Sequence, residues 1–571
     1  MTIPGYLIDP SKRQSPMNLL DSFCLHASTF HLIRPAQTSI WRSRTSGILV
    51  ILLVAGVAAF AAPAAQAPAT AKPLAEVTVQ TDNLGRQIPK DFAGLSLEVS
   101  TAGQGLPAFQ GGKPGSLPGA PGEQTVYALG YPDAPNSGYF QFMRNLGPGI
   151  LRLGGNSQDN SCWDPTHAPH PEACEAVLAG PDLALFSKAA AASNWKLILG
   201  LNLKQNSAAW VLREVTQGVS REIDPSQLFG LEIGNEPDLF TRTPYRPKTY
   251  SPADQAKDFL AYVEAFQSDP VAKPHDLVGP ATCCGWRNPR DLGIFIDGVG
   301  AHSLKLLTVH NYSLTTCNGR TVTIAQLLAP YLMERYNREV KPLVGMADQR
   351  GLPIAMAETN SASCGGMPGV SNAFAAALWG MDYMFSTAQD GFRAINFHSS
   401  YRPGGSSYNP VDTYGYKDSS QRWHYRNIAQ PLYYGMYLFA RHASGNYLLA
   451  TSIRTSANIH AYAVTSCATC AVNVFVINED LNASGLVRIH IHDRKGKGSL
   501  LLLDAPSLSS PAQEVRIGGS QFDSQGNLPA PHISSLHPDA HGDYTFTLPK
   551  ASAALMMVQG AADDNAATKA P

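Results

Sequence analysis

The chain has 571 residues, a formal net charge of -1 and only 15% charged side chains. That is too long for one small core and long enough for a barrel plus an accessory domain. A near-neutral chain also has no overall field to draw in nucleic acid or a heavily sulfated polyanion, so neither is an expected partner without a local basic patch.

The first 70 residues differ in texture from the rest. Arg42 and Arg44 precede Gly47 to Phe60, an uncharged run without proline (GILVILLVAGVAAF), followed by AAPAAQAPATA. A basic flank, an apolar core and small residues beyond it mark a signal peptide, here with cleavage after Ala61 or Ala67. A membrane anchor is the rival reading, but spanning a bilayer takes about 20 apolar residues and this run stops short. The expectation is a secreted or periplasmic protein with no stable membrane anchor once residues 1–70 are removed. That loss discards Cys24 and leaves Cys162, Cys174, Cys283, Cys284, Cys317, Cys364, Cys467 and Cys470, an even set suited to an oxidising compartment. Short loops favour Cys162 with Cys174 and Cys467 with Cys470, and Cys317 reaches Cys364 if the loops after neighbouring strands meet. Cys467-Ala-Thr-Cys470 is also half of a zinc or redox pattern, but with no second such pair and no histidine pair at ligand spacing, no metal is expected.

Ala75 to Thr81 (AEVTVQT) reads as a strand, within residues 71–90, that pairs into a later sheet. From residue 91 to 430 short apolar strands alternate with helix-like segments, the pattern of a parallel sheet covered by helices. The candidate strands are Phe92 to Glu98, Gly149 to Gly154, Trp195 to Asn202, Leu228 to Ile233, Asp276 to Gly279, Leu304 to His310, Pro353 to Ala357 and Phe392 to Phe397. A doubly wound sheet tolerates the same alternation. Eight repeats favour a closed (β/α)8 barrel, whose functional residues sit on the loops at the C-terminal ends of the strands.

Two glutamates occupy such positions: Glu236 in Gly-Asn-Glu-Pro after strand four, and Glu358 in Ala-Met-Ala-Glu-Thr-Asn after strand seven. Strands four and seven lie across a barrel from one another, so the carboxylates face each other over a bound sugar. Breaking a glycosidic bond takes one carboxylic acid to protonate the leaving oxygen and one carboxylate to attack the anomeric carbon or activate water. Glu236 is the expected acid/base, with Asn235 beside it as a donor to a sugar 2-hydroxyl. Glu358, followed by Thr359, Asn360 and Ser361, is the expected nucleophile. Tyr312, in His310-Asn311-Tyr312 after strand six, is placed to orient Glu358, and Arg152 to counter its charge. Glu98, Asn156 and Asn202 are candidates for sugar hydroxyls, against loop or capping roles, and Tyr401, Tyr408 and Trp423 for stacking. No cofactor is implied, because two carboxylates and a water suffice.

After residue 430 the texture changes. Asn458 to Val464, Ala471 to Ile477, Leu486 to Ile491, Leu500 to Leu503 and Tyr544 to Leu548 alternate or run apolar between turns, which predicts a β-sandwich over 431–559. The tail 560–571 lacks the apolar content to order itself.

The ordered set FAGLSLE, LRLGGN, LGLN, EIGNEPD, VHNYS, AMAETNS and NFHSS, running from about residue 75 through the sandwich, resembles glycoside hydrolase family 79, the β-glucuronidases and heparanases. The resemblance implies a retaining enzyme, with Glu98, Asn156, Asn235 and Tyr312 lining the first sugar site. It also implies that a glucuronate carboxylate is held by backbone amides of a glycine-rich loop after the nucleophile, here Gly365 and Gly366. Relatives often carry a tyrosine five residues after the nucleophile. Ser363 stands there in this chain, shifting weight to Tyr408 or Tyr401. With few Lys or Arg clusters, removal of a terminal β-glucuronic acid is favoured over heparanase-like endo cutting. The rivals are a β-xylosidase or arabinofuranosidase on the same barrel and a non-catalytic glycan-binding protein; a monomer and an oligomer both remain open.

Overall fold

The computed structural model describes residues 72–560, apart from 103–122, 167, 169–173, 175, 206 and 401–405. The leader, its cleavage sites, Tyr401 and the tail beyond Gly560 lie outside the described residues. No helix among the described residues is long and apolar enough to cross a membrane.

Eight parallel strands close into a barrel: Ala93–Glu98, Gly149–Gly154, Trp195–Leu201, Leu228–Ile233, Leu277–Thr282, Leu306–Thr315, Ile354–Ser363 and Ile395–Ser399. All eight expected strands are present. Successive residues of a strand point to opposite faces, so every second one enters the barrel. Ile150, Ile198, Val278, Leu306, Ala355 and Ala394 form a separate apolar cluster. Two residues further along four of these strands stand Arg152, Gly200, Thr308 and Asn396, and two further again Gly154, Asn202, His310 and His398. The interior therefore changes from an apolar plug to a polar layer toward the C-terminal rim.

Strands six and seven depart from expectation by running past His310 and Ala357 to Thr315 and Ser363. They continue as a paired ribbon, with Thr315 opposite Ser363, clasped by the Cys317–Cys364 disulfide. The polar side chains that signalled a strand end are thus the ribbon itself. Strand five likewise continues through Pro280 to Thr282. Cys162–Cys174 and Cys467–Cys470 are also disulfides, while Cys283 is free and buried.

Beyond strand eight, the hairpin Val411–Lys417 with Trp423–Ala429 stands at the same rim, and Trp423 stacks on Tyr131 at 4.6 Å. The chain after residue 430 does not enter the sandwich at once. Pro431, favoured in a first helical turn, opens the helix Pro431–His442, which packs on helix Ala375–Asp390 of the barrel. Its aromatic-rich, almost fully buried sequence hid the helical period. The β domain then begins at Tyr447, and its strands run in the order Arg516–Ile517, Gly498–Asp504, Ser552–Val558, Val472–Asn478, Ile459–Thr465, Tyr447–Thr455, Ala75–Gln87, Gly485–Ile491, Asp543–Leu548. The N-terminal strand joins this sheet as expected, antiparallel to Tyr447–Thr455 and parallel to Gly485–Ile491. Alternation explains the packing: Val474 and Val476 face a core shared with Val77, Val487 and Phe546, while Phe475 and Ile477 belong to the core of the barrel.

Candidate active site

Glu236 follows Gly234-Asn235 on a sharp turn. Gly234 has φ +78, and a Cβ there would stand 2.7 Å from the Leu203 side chain, so only glycine fits. Glu236 itself is left-handed, with φ 49 and ψ 52. Such a conformation in a side-chain-bearing residue is held by its surroundings. Here the Glu236 amide donates to Ala281 O at 2.9 Å and the Asn235 amide to Asp159 Oδ2 at 2.8 Å. Asp159 Oδ1 also accepts from the Leu203 and Lys204 amides, so one buried carboxylate fixes the loops after strands three and four. Asp238 does the same for strand five, accepting from the amides of Cys283, Cys284 and Gly285.

Glu358 lies within strand seven, opposite His310. Arg152 Nη1 donates to Glu358 Oε2 at 2.8 Å and Tyr312 Oη to Glu358 Oε1 at 2.8 Å. The two supporting residues expected from sequence therefore both reach it. Arg152 is fully buried and extends its other nitrogens to Glu232 at 2.6 Å and Asn235 Oδ1 at 2.7 Å. That contact orients the Asn235 amide so that its Nδ2, unengaged among the described residues, is available to a sugar hydroxyl.

A carboxylate oxygen of Glu236 lies within 4.8 Å of one of Glu358, with a nitrogen of His310 inside the same limit. The groups offer ligand atoms for a metal, but Arg152 already supplies a cation to Glu358. Protonation separates the two acids. Burial, the neighbouring Glu358 charge and Asp238 push Glu236 well above the usual carboxylate range. Burial alone would raise Glu358 too, but His398, His310, Arg152 and the Tyr312 hydroxyl more than offset it and hold that carboxyl well below its usual value. Burial drives His310 itself down to about 4. Above that pH the His310 ring is neutral, so its own share in holding Glu358 ionised falls away.

The remaining candidates divide. Glu98 accepts from the Ser157 amide and hydroxyl and lies 3.6 Å from His398 Nε2, at the rim. Asn156 is half-buried there, and no described hydrogen bond engages its side chain. Tyr408 packs between Tyr312 and His398, with ring centroids 6.2 and 6.0 Å away. Gly365 and Gly366 have φ +90 and +76, and their amides donate to no described group. Asn202 differs from expectation: its Nδ2 donates to Asp159 O and Ser161 O, and its Oδ1 accepts from the Gln205 amide. It braces loops and has no spare group for a sugar. Ser363 is likewise turned inward, onto Thr315 Oγ1 at 2.8 Å.

Sequence reasoning missed His398, Glu232, Asp159, Asp238 and the role of His310, whose Nδ1 lies 3.1 Å from Glu236 Oε1. His398 Nδ1 lies 3.0 Å from Ser96 Oγ and 3.8 Å from Glu358. One signal was present: a charged Glu232 inside the otherwise apolar Leu228–Ile233 needs a buried cation, and Arg152 in LRLGGN is one such cation in a barrel strand.

Fold and site together define a (β/α)8 barrel braced by a β-sandwich, with an acid and a carboxylate facing each other at the C-terminal rim. No protein-family model matches the chain. Its sequence is similar to the β-glucuronidases of Neurospora crassa (25% identity over 334 residues, 52% of this chain and 58% of that protein) and Aspergillus niger (26% over 286 residues, 46% and 53%). It is also similar to the heparanase of Gallus gallus (23% over 330 residues, 49% and 61%). The resemblance read from the motifs is thus borne out, over little more than half the length of each relative. Among solved structures, a 4-O-α-L-rhamnosyl-β-D-glucuronidase from Fusarium oxysporum matches with TM-score 0.65 at 18% identity, covering 84% of this chain and all of that one. A GH51 arabinofuranosidase from Xanthomonas axonopodis pv. citri matches with TM-score 0.60 at 13% identity, covering 86% of this chain and all of that one. At those identities the likeness is one of fold.

Proposed function

We propose that the protein is a retaining glycoside hydrolase that removes terminal β-D-glucuronic acid from glycans or glycoconjugates outside the cytoplasm. The observation that carries this reading is the Glu236–Glu358 pair: oxygens within 4.8 Å, one acid held protonated and the other ionised. Double displacement uses carboxyl groups about 5 to 5.5 Å apart and inversion about 6.5 to 9.5 Å to admit a water, and an approach of the nearest oxygens inside 4.8 Å supports the closer arrangement. Glu358 attacks the anomeric carbon while Glu236 protonates the departing oxygen. Glu236, now a carboxylate, then takes a proton from the water that hydrolyses the glycosyl ester. Asn235 Nδ2 meets the sugar 2-hydroxyl.

The glucuronate preference rests on the loop after Glu358. Two glycine amides with no partner among the described residues are available to a carboxylate on the sugar. Ser406 Oγ is buried without a partner among the described residues and is the nearest atom, at 3.7 Å, to where a Gly365 Cβ would stand. Exo action is supported by a walled rim: Arg246 donates to Leu203 O and Lys204 O, tying the loop after strand four to that after strand three. Three disulfides among the described residues suit an exported protein.

Hydrolysis of chromogenic β-glucuronide, β-xyloside, β-glucoside and α-arabinofuranoside by wild type and Glu358→Gln tests the proposal. Turnover of the glucuronide with β-anomer released first, lost in the variant, is expected. An inert glucuronide beside a cleaved pentoside overturns the substrate class, and first release of the α-anomer from the glucuronide overturns the retaining mechanism.

A further inference from the structure

A second cluster of ionisable groups, sharing no residue with the active site, lies where the sandwich packs on the barrel. Asp382 projects from helix Ala375–Asp390, His460 from strand Ile459–Thr465, and Glu479 follows strand Val472–Asn478. One ligand atom from each of the three lies within 4.8 Å of the others. Both carboxyl groups are more than nine-tenths buried, and Glu479 Oε1 has no partner among the described residues. Its Oε2 stands 3.7 Å from His460 Nε2.

The hydrogen bonds fix how the histidine is presented. Asn458 Nδ2 donates to Leu328 O at 2.7 Å, which turns its Oδ1 toward His460 Nε2 at 3.2 Å. In the neutral ring Nε2 therefore carries the proton, and Nδ1 offers a lone pair to Asp382 Oδ1, 3.5 Å away. Asp382 Oδ1 already accepts from Tyr462 Oη at 2.6 Å. A lone pair facing a carboxylate is relieved by a proton or a metal cation between them, and the spacing bears on which. The 3.5 Å spacing is longer than an ordinary N–H···O bond, about 2.7–3.2 Å. It matches the separation of about 3.4 Å between neighbouring ligands of a tetrahedral ion with bonds of roughly 2.1 Å. A ligating histidine whose other ring N–H is taken by a carbonyl, and a ligating carboxylate held by a hydroxyl, are the usual outer partners of such a site.

We propose that Asp382, His460 and Glu479 bind one divalent transition cation of the zinc class, which fastens the sandwich to the barrel helix that follows the Glu358 strand. One imidazole and two carboxylates form the donor set. The ion then balances two buried carboxyl groups, and the partly exposed His460, at 29%, gives it an entry path.

The test uses the full chain dialysed against chelator and titrated calorimetrically with ZnCl2, with MgCl2 as the comparison ion, in wild type, Glu479→Gln, His460→Asn and Glu358→Gln. The last variant removes a ligand of the other three-residue cluster, at the active site. One zinc equivalent is expected in wild type and Glu358→Gln, with affinity at least 10-fold weaker in both seam variants, which keep their glycosidase activity. Zinc at 100 times Kd should shift the folding equilibrium about 100-fold toward the folded state. Should a seam variant fold poorly, Co2+ in the wild-type chain gives an independent readout, the intense visible bands of a tetrahedral site. Absence of stoichiometric zinc, zinc binding that survives in both seam variants, or a Co2+ complex without tetrahedral bands overturns the proposal.

Discussion

Arg152 donates to Glu358 at 2.8 Å from the floor of the site, and the same guanidinium is anchored at 2.6 Å on a fully buried carboxylate, Glu232. The cation that keeps Glu358 ionised is thus held by a buried acid below it. Breaking such a buried pair from one side typically costs about 3 to 5 kcal/mol, because the remaining charge is left uncompensated. Arg152→Met is expected to lose about that much stability in urea denaturation. An unchanged midpoint would mean that the network carries no net stability.

Replacing either carboxylate separates the two roles. Glu358→Gln should lower kcat on a glucuronide by about 1000-fold or more, since no nucleophile remains. Glu236→Gln should cost about 100- to 10,000-fold on a poor leaving group, the usual worth of general acid catalysis, and far less on an activated aryl glycoside. Equal losses on both leaving groups in Glu236→Gln would remove Glu236 from the acid role.

Tyr312→Phe removes a donor that stabilises the ionised form of Glu358. The nucleophile's pKa should therefore rise, and the acid limb of the kcat/KM profile should move to higher pH. A profile that falls uniformly without shifting would mean that the hydroxyl acts by another route.

Ser406→Ala tests the anionic pocket. A hydrogen bond to a charged group contributes about 1.5 to 3 kcal/mol, so KM or kcat/KM for a glucuronide should worsen by roughly 10- to 100-fold, with little change for a neutral xyloside. Parallel losses on both substrates would point to a folding role.

Stability should also depend on Glu214, whose carboxyl burial pushes up to about 8. An acid with a raised folded pKa contributes its stability fully below the unfolded value, about 4.3, and loses it as the pH climbs to 8, at roughly 1.4 kcal/mol per pH unit. Glu214→Gln should flatten the stability profile across that window. Equal slopes in wild type and variant would show that Glu214 ionises without cost in the folded chain.

The eight barrel strands were legible because short apolar segments between turns report burial on both faces, and the closing rim placed Glu236 and Glu358 without further information. Arg152 and Tyr312 were legible as supports for the same reason. The helix Pro431–His442 was not, since a segment buried nearly all round loses the polar face that betrays its period. The extension of strands six and seven past the rim escaped notice because polar residues in a ribbon look like those of a loop.

The sequence by itself determined where the eight barrel strands lie and that Glu236 and Glu358 stand where two of them reach the C-terminal rim, since those follow from patterns a few residues long. Only the tertiary structure decided how these groups behave. Whether Asn202 serves a sugar or the backbone, whether Glu232 anchors Arg152, and which carboxyl keeps its proton depend on distances between strands remote in the chain. Charge, burial and hydrogen bonding act through space, and the space between Arg152, Glu232 and Glu358 exists only once the barrel closes.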